Sequence, residues 1–447
     1  MFGIHRRLAA AAGLVLAAGL IPATVRADDA STADVQAKIE SLKARVAALD
    51  TASAPNAAQV NAAVDAVMQD AATRSQFLAA GDAGSGAGYN NGFFIKQGDF
   101  TLRPGLHMQF RNVTNYRTDA KNGDGDNIQN GFEIRRLRPE LAGTAFSPDL
   151  SYVFVWDVNR SGGAVTLLDV IVKYQIDKDF AVQLGQYKNP LTHEELVSDK
   201  LGLAVERTLV NDLIAGGSTR RQAVSLIYGN YAAENPIWAH LQISDGPNSI
   251  NTPFTDAGSN WGVTGRVEFK VSGDWKSYTD FSAKNVAGNA DMLVIGAGAE
   301  ASESNNLMLY RATVDASYKT TTGLGLYGAF ILSDLDPRNT ANDDNTLNWG
   351  LILQANYLLN PSVELFARYD WAHFEDDQAN GDNNLHEIVA GVNYYLGADG
   401  KWFHKAKVTV DVGLLPNGSP TGVSGAGVLG GTNDTEIFVR AQFNLVL

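Results

Sequence analysis

The sequence predicts an all-β protein, a 16-stranded antiparallel transmembrane β-barrel preceded by a short N-terminal helical, coiled-coil-like stalk. Three observations predict it. After the first two dozen residues no run reaches the ~18 apolar residues that a spanning helix needs. From about residue 90 onward, apolar and polar residues alternate with a period of two. Aromatic residues collect near the ends of these runs on the apolar side, as Tyr310 with Tyr318, Trp349 with Tyr357 and Tyr369 with Trp371 do, the arrangement of the two interfacial girdles of a membrane barrel.

The elements follow in order. Residues 1–27 read as a signal peptide: His5, Arg6 and Arg7 precede an apolar stretch from Leu8 to Ile21, and Val25-Arg26-Ala27 forms a small-x-small cleavage site. Its removal takes three arginines and no acid, moving the formal charge from −14 to −17. Residues 28–80 read as a stalk. There Val35, Ile39, Leu42, Val46 and Leu49 step by four, three, four and three, a narrow a/d seam about two heptads long. Pro55 ends that helix, and a second stretch places Val60, Val64 and Val67 on one face. Residues 81–89 begin with GDAGSGAG and read as a flexible Gly-rich linker.

From 90 to 447 the alternation is explicit. In LRPGLHMQF, Leu102, Leu106, Met108 and Phe110 oppose Arg103, His107, Gln109 and Arg111. In LMLYRATVDASYK, Tyr310, Ala312, Val314, Ala316 and Tyr318 oppose Arg311, Thr313, Asp315, Ser317 and Lys319. A soluble β-sandwich also alternates, but here the polar face is charged rather than merely hydroxylated. Long polar connections at 117–131, 188–221, 334–346, 375–385 and 415–434 separate from tight turns at 147–149, 177–179, 320–323 and 360–362. Seventeen alternating runs can be counted, the wrong parity for a barrel with both ends on one side. Reading WKSYTDFSAKNVAGN as part of a long turn and MLVIGAGAEA (292–301) as the spanning strand gives 16.

Composition excludes several classes. With no Cys there is no disulfide framework, thiolate metal site or thiol chemistry. Thirty-five Lys and Arg against 49 Asp and Glu argue against nucleic acid as a partner. GAGVLG (425–430) matches GxGxxG, but GTNDTEIF follows it instead of a helix, so it reads as a surface loop. In NGDGDNIQNGFE, Asn122, Asp124, Asp126 and Glu133, with the Ile128 carbonyl and Asn130, fall at the offsets of a calcium loop, but flanking helices and the turn glycine are missing. No nucleophile–base set with usable spacing points to an enzyme, and no cofactor is expected.

GFEIRRLRPELAGTAF, LGQYKNPLTHEELVSDKLGLAVERTLVNDL, ELFARYDW and GVNYYL resemble the phosphate-selective porin O and P family, over roughly residue 90 to the end. The block from Gly185 to Leu213 is the most specific part. The resemblance implies a trimeric outer-membrane porin of a Gram-negative-type bacterium, its stalk in the periplasm. It also implies a third long loop, here 188–221, folded into the lumen as the constriction. Passing solutes would be small anions or other small hydrophilic molecules. A cation-leaning pore and a barrel serving mainly as an envelope tether stay open as alternatives.

The resemblance also implies site residues. Arg135 and Arg136 match a paired arginine of the second strand, and Asp169 an aspartate of the fourth. Where phosphate channels of the family carry a lysine and small hydroxyls, this chain has Glu195, Ser198 and Asp199, ahead of Glu206-Arg207. Glu195 is therefore expected at the opening, setting the sign of selectivity. On charge alone, Arg135, Arg136, Arg138, Lys173, Lys188, Arg207, Arg220 and Arg221 would line one wall of the pore. Asp157, Asp169, Glu194, Glu195, Asp199 and Glu206 would line the other, with Arg207 pairing Glu206 or Glu195 to hold the loop.

Overall fold

The computed structural model describes Glu40 and residues 85–447, apart from 91, 119–126, 218–219, 232–234, 248, 257–259, 286–289, 305, 339–344, 377–381, 421–423, 430 and 432–433. The chain divides into two units, Met1–Ala80 and Gly81–Leu447. In the first, Glu40 is helical and exposed. The signal peptide, the heptad seam and three calcium-loop candidates, Asn122, Asp124 and Asp126, lie outside the described residues.

The second unit opens with a hairpin, β1 (Ser85–Tyr89) and β2 (Phe93–Gln97). More than half of the stretch read as a flexible linker is thus a strand. Gly86 and Gly88 pair with Lys96 and Phe94, because a ladder needs only backbone groups and the FFIK run supplies the partner edge. Sixteen strands follow. They are β3 (Phe100–Arg117), β4 (Ile128–Ala145), β5 (Ser147–Val158), β6 (Val165–Gln175), β7 (Phe180–Lys188), β8 (Arg220–Tyr228), β9 (Ile237–Ser244) and β10 (Trp261–Ser272). The second half comprises β11 (Met292–Ser304), β12 (Leu307–Lys319), β13 (Leu324–Pro337), β14 (Thr346–Asn360), β15 (Val363–His373), β16 (Asn384–Tyr395), β17 (Ala406–Leu415) and β18 (Glu436–Val446). Each pairs antiparallel with the next. β18 pairs with β3 from Glu436↔Arg117 to Val446↔His107, which closes the barrel and leaves it no edge.

The closed sheet is inside-out relative to a water-soluble protein. Outward Val224, Ile243 and Val314 are more than half exposed, whereas inward Arg266, Glu268, Gln242 and Arg440 are almost completely buried. Large apolar side chains facing outward and ionised ones facing inward are stable together only when lipid is outside. The period of two in the sequence is this division.

Connections alternate between two rims. The long turn between β10 and β11 falls where the strand count required it, and Met292–Ser304 is the spanning strand. The turn has more structure than the sequence indicated. Asp274 caps the single 3-10 turn Trp275–Ser277, and Tyr278, Phe281 and Ala283 are buried. The segment enters the lumen: Ala283 N donates to Glu364 Oε1 (2.5 Å) and Asn356 Nδ2 donates to the Phe281 carbonyl (2.9 Å). Within GAGVLG, read as a surface loop, residues 426–428 also turn inward. Ala426 and Val428 are buried, and Arg440 and Asn115 donate to the carbonyls of Ala426 and Gly427.

The main apolar core lies inside the barrel. It joins Leu191, Val197, Leu203, Leu209, Val210 and Ile214 of the β7–β8 connection to Phe281 and to inward residues of β13–β18, among them Ile331, Ile352, Phe366 and Phe438. A porin wall is normally polar inside. Here one side of it is apolar because a folded segment packs on it.

Candidate functional site

That segment lies between β7 and β8 and is described over residues 189–217. Three hydroxyl caps fold it. Thr192 accepts from Glu195 N and starts α1 (His193–Leu196), Ser198 accepts from Lys200 N at the 3-10 turn Asp199–Leu201, and Thr208 accepts from Asn211 N and starts α2 (Leu209–Leu213). Glu194 ties the two helices together, accepting from Thr208 N (2.9 Å) and Thr208 Oγ1 (2.7 Å).

The loop is seated on several walls. Arg266 Nη1 of β10 donates to the Leu191 carbonyl (3.2 Å), and Asn189 Nδ2 donates to Glu300 of β11 (2.9 Å). Val210 N donates to Asp370 Oδ2 of β15 (3.3 Å), Asn393 Nδ2 of β16 donates to the Leu203 carbonyl (2.9 Å), and Val205 N donates to Asp411 of β17 (3.1 Å). The walls are also made small at two contacts. A Cβ on Gly298 would sit 2.2 Å from the Leu191 carbonyl oxygen, and one on Gly350 would sit 2.4 Å from a Val210 methyl.

Two loop carboxylates anchor to the basic side of the barrel. Glu206 meets Arg111 (2.7 Å), Arg135 (2.5 Å) and Arg136 (2.7 Å). Burial alone would raise its pKa, but Arg135, Arg136 and Arg111 outweigh that and hold it well below the usual carboxylate range. Asp199 pairs with Arg136 (3.4 Å), Arg138 and Arg207, which likewise hold it low against burial. Arg135 and Arg136 both face inward because β4 bulges there: Gln109 pairs with Arg136 and Phe110 with Ile134, leaving Arg135 as the extra residue.

An open space of ≈ 460 Å³ lies between this loop and the wall from β3 to β9. Arg138, Asp169, Lys173, Lys188, Ser198, Asp199 and Arg220 of the expected site line it. A second cavity shares Lys173 and Asn230 and continues the space toward the β4–β5 and β6–β7 turns. The other expected residues do not line the space. Arg135 and Arg136 are held by Glu206, Arg221 pairs with Glu300 of β11 (2.5 Å), and Glu194 is a cap. Arg207 reaches Asp199 and the carbonyls of Glu194 and Val197, with Glu195 at 3.9 Å, not Glu206. The two signs of charge therefore interdigitate as ion pairs instead of forming opposed walls.

Glu195 departs most from expectation. It is 4% exposed and both carboxylate oxygens are enclosed without a hydrogen bond. The Thr192 cap turns it into the loop's packed side. Burial pushes its pKa up, against Arg207, Lys188 and Arg220. Lining groups that sequence reasoning missed are His107, Glu140, Tyr187, Lys200, Trp238 and His240. The inward phase of their strands was the available signal for those on β3, β4, β7 and β9. Among the described residues, no group of three or more His, Asp or Glu is arranged to hold a metal ion. Glu133, the described calcium candidate, meets Arg111 (2.5 Å) and Arg160 (3.3 Å).

Asp212 of α2 gives the loop a pH dependence. Burial, reinforced by Glu206, Glu194 and Glu195 and partly offset by Arg207, pushes its pKa up to about 7. An acid raised in the folded state costs stability as pH climbs from its unfolded value toward the folded one. The protein is expected to lose about 1–3 kcal/mol between pH 5 and pH 8, and Asp212→Asn to remove most of that slope. Thermal unfolding of the detergent-solubilised protein at both pH values checks this; equal slopes for the two proteins would refute it.

A closed 16-stranded barrel, apolar outside and narrowed inside by an inward-folded third long loop, defines an outer-membrane channel of the porin type. The sequence matches the family model for phosphate-selective porin O and P over residues 106–406, and the chain belongs to that family. None of the curated proteins matches the sequence. Among solved structures, the anion-selective porin from Comamonas acidovorans is similar at 12% identity and a TM-score of 0.52, over 78% of this chain and 100% of that one. OmpF of Salmonella typhi in complex with daunomycin is similar at 15% identity and a TM-score of 0.50, over 80% of this chain and 100% of that one. At these identities the likeness is one of fold.

Proposed function

We propose that the protein is a passive, anion-preferring channel for small hydrophilic solutes, working as a homotrimer in the outer membrane. Flow is down the solute gradient through the space beside the loop, with no chemical step. Residues 28–80 are proposed as a periplasmic stalk that aids assembly, a reading supported by the seam at Val35, Ile39, Leu42, Val46 and Leu49.

One observation carries the anion preference. Most charged groups around the opening are neutralised in pairs: Arg138 by Asp157 and Asp199, Arg220 by Asp169 (3.0 Å), and Lys200 by Glu140. Lys173 is not. Among the described residues no carboxylate lies within ion-pairing distance of it, whereas Lys188 is enclosed against the loop, its Nζ donating to the carbonyls of Glu195 (2.6 Å) and Val197 (3.1 Å). An uncompensated cation in a narrow, weakly screened passage favours anions, whereas the acidic total of the whole chain acts through distant, screened charges. Phosphate, the solute in the family's name, is one anion this field would admit.

Reversal potential in planar bilayers under a potassium chloride gradient tests the reading. The wild type is expected to prefer chloride. Lys173→Glu exchanges two charges and is expected to move the chloride-to-potassium permeability ratio toward cations by about tenfold, with Lys173→Gln about halfway on a logarithmic scale. A wild-type channel without chloride preference, or a ratio unmoved by both substitutions, overturns it.

A further inference from the structure

The wall facing the loop is unusual for a water-filled pore. Inward positions of a porin strand are normally polar, and on β5 and β6 charged residues do occupy some of them: Asp157 pairs with Arg138 (2.8 Å), and Asp169 with Arg220 (3.0 Å). Alongside these, on the same inward phase, stand Val155, paired with Asp169, and then Val153 and Ile171 in the next inward row. Val153 and Ile171 are directly paired across the two strands. The next inward positions in that row are Gly185 of β7 and Ala223 of β8. A Cβ on Gly185 would meet the Val170 carbonyl oxygen at 2.0 Å. The row therefore carries no polar side chain across four strands.

Aromatic rings extend this surface. Trp238 and Tyr231 stack at 5.2 Å and Trp238 meets His240 edge-on at 5.6 Å; all three border the same space. His240 Nε2 is buried without a hydrogen-bond partner. Beside Ile171, two positions along β6 on the same inward phase, stands Lys173, the uncompensated cation of the opening. The opening thus places an apolar and aromatic wall next to unpaired positive charge.

We propose that the opening is a selectivity site for small organic anions with an apolar body, the chemistry of an aromatic monocarboxylate. The carboxylate meets Lys173 while the hydrocarbon lies against Val153, Ile171 and Trp238. A fully hydrated inorganic anion uses only the charge, and a neutral aromatic only the wall. This assignment rests on the anion-channel reading and adds the requirement for an apolar body.

The experiment is block of potassium chloride current through the full-length channel in planar bilayers by benzoate, acetate and benzamide. Benzoate is expected to block at about tenfold lower concentration than acetate, as burial of part of a ring allows, and benzamide not to block. Val153→Thr with Ile171→Thr is expected to cut the benzoate-to-acetate ratio to about threefold. Lys173→Gln is expected to weaken both carboxylates and leave the ratio near its wild-type value. Equal block by benzoate and acetate in the wild type overturns the proposal, with no need for any variant to insert. A ratio unmoved by the double substitution overturns it too. Chloride preference is measured with no organic solute present. Its absence defeats the channel reading itself, whereas chloride preference with equal carboxylate block defeats only this assignment.

Discussion

Glu206→Gln is expected to raise single-channel conductance severalfold and to increase anion preference. The side chain keeps its size and loses its charge, so three wall guanidiniums, those of Arg111, Arg135 and Arg136, lose their common counter-ion. Removing one partner of a buried charge cluster costs about 3–5 kcal/mol, more than a short loop segment can absorb without moving. The loop should leave the basic wall and widen the passage, and the freed arginines should then act on the permeating ion. In the wild type the depressed pKa of Glu206 means that this anchor is present above the ordinary carboxylate range and is lost only as pH falls well below it. Acidification to pH 4 should therefore leave wild-type conductance unchanged. If the Glu206→Gln channel keeps wild-type conductance and reversal potential, the loop does not depend on this cluster.

Gly298→Val is expected to displace the loop from the opposite side. Valine suits the strand, but its Cβ would occupy the place of the Leu191 carbonyl oxygen, 2.2 Å away. That oxygen also accepts from Arg266 Nη1, so relief by backbone movement breaks a buried hydrogen bond. Overpacking of this kind costs about 1–3 kcal/mol. The expected signature is increased current noise and frequent sub-conductance levels, as the Glu206 anchor pulls against a blocked seat. Quiet channels of wild-type conductance would refute it. Gly298→Ala should show the same change, smaller.

The barrel was legible in the sequence because lipid on one side and ions on the other impose opposite demands on alternate residues. The strand MLVIGAGAEA could be placed by parity, although its Gly and Ala content makes it weak as a strand signal. The reason for that composition, the loop and an Arg266–Asp315 pair lying against β11, is not local information. The paired arginines were visible, but their common inward direction depends on a bulge that alternation forbids and no turn residue announces. Glu195 and Glu206 stand in one loop with similar neighbours; cap geometry at Thr192 and Thr208 decides which one meets the wall and which is enclosed. The role of Lys173 was hidden most completely. It depends on which other cations found partners, and those partners come from strands far apart in the chain.

The wide scatter of the loop's contacts governs how the molecule can be assembled. Its seat is built from Arg111 and Arg136 near the start of the barrel and from Arg368, Asn393 and Asp411 near its end. No nascent hairpin contains both halves, so the loop has no complete resting place until β18 meets β3. Contacts this distant in sequence form late and slowly. Closure of the cylinder and docking of the loop are then one coupled event, and an unclosed sheet offers the insertion machinery a segment rich in Leu and Val with nowhere to go. Substitutions in the loop should for that reason lower the yield of inserted channel before they alter the current through those that succeed.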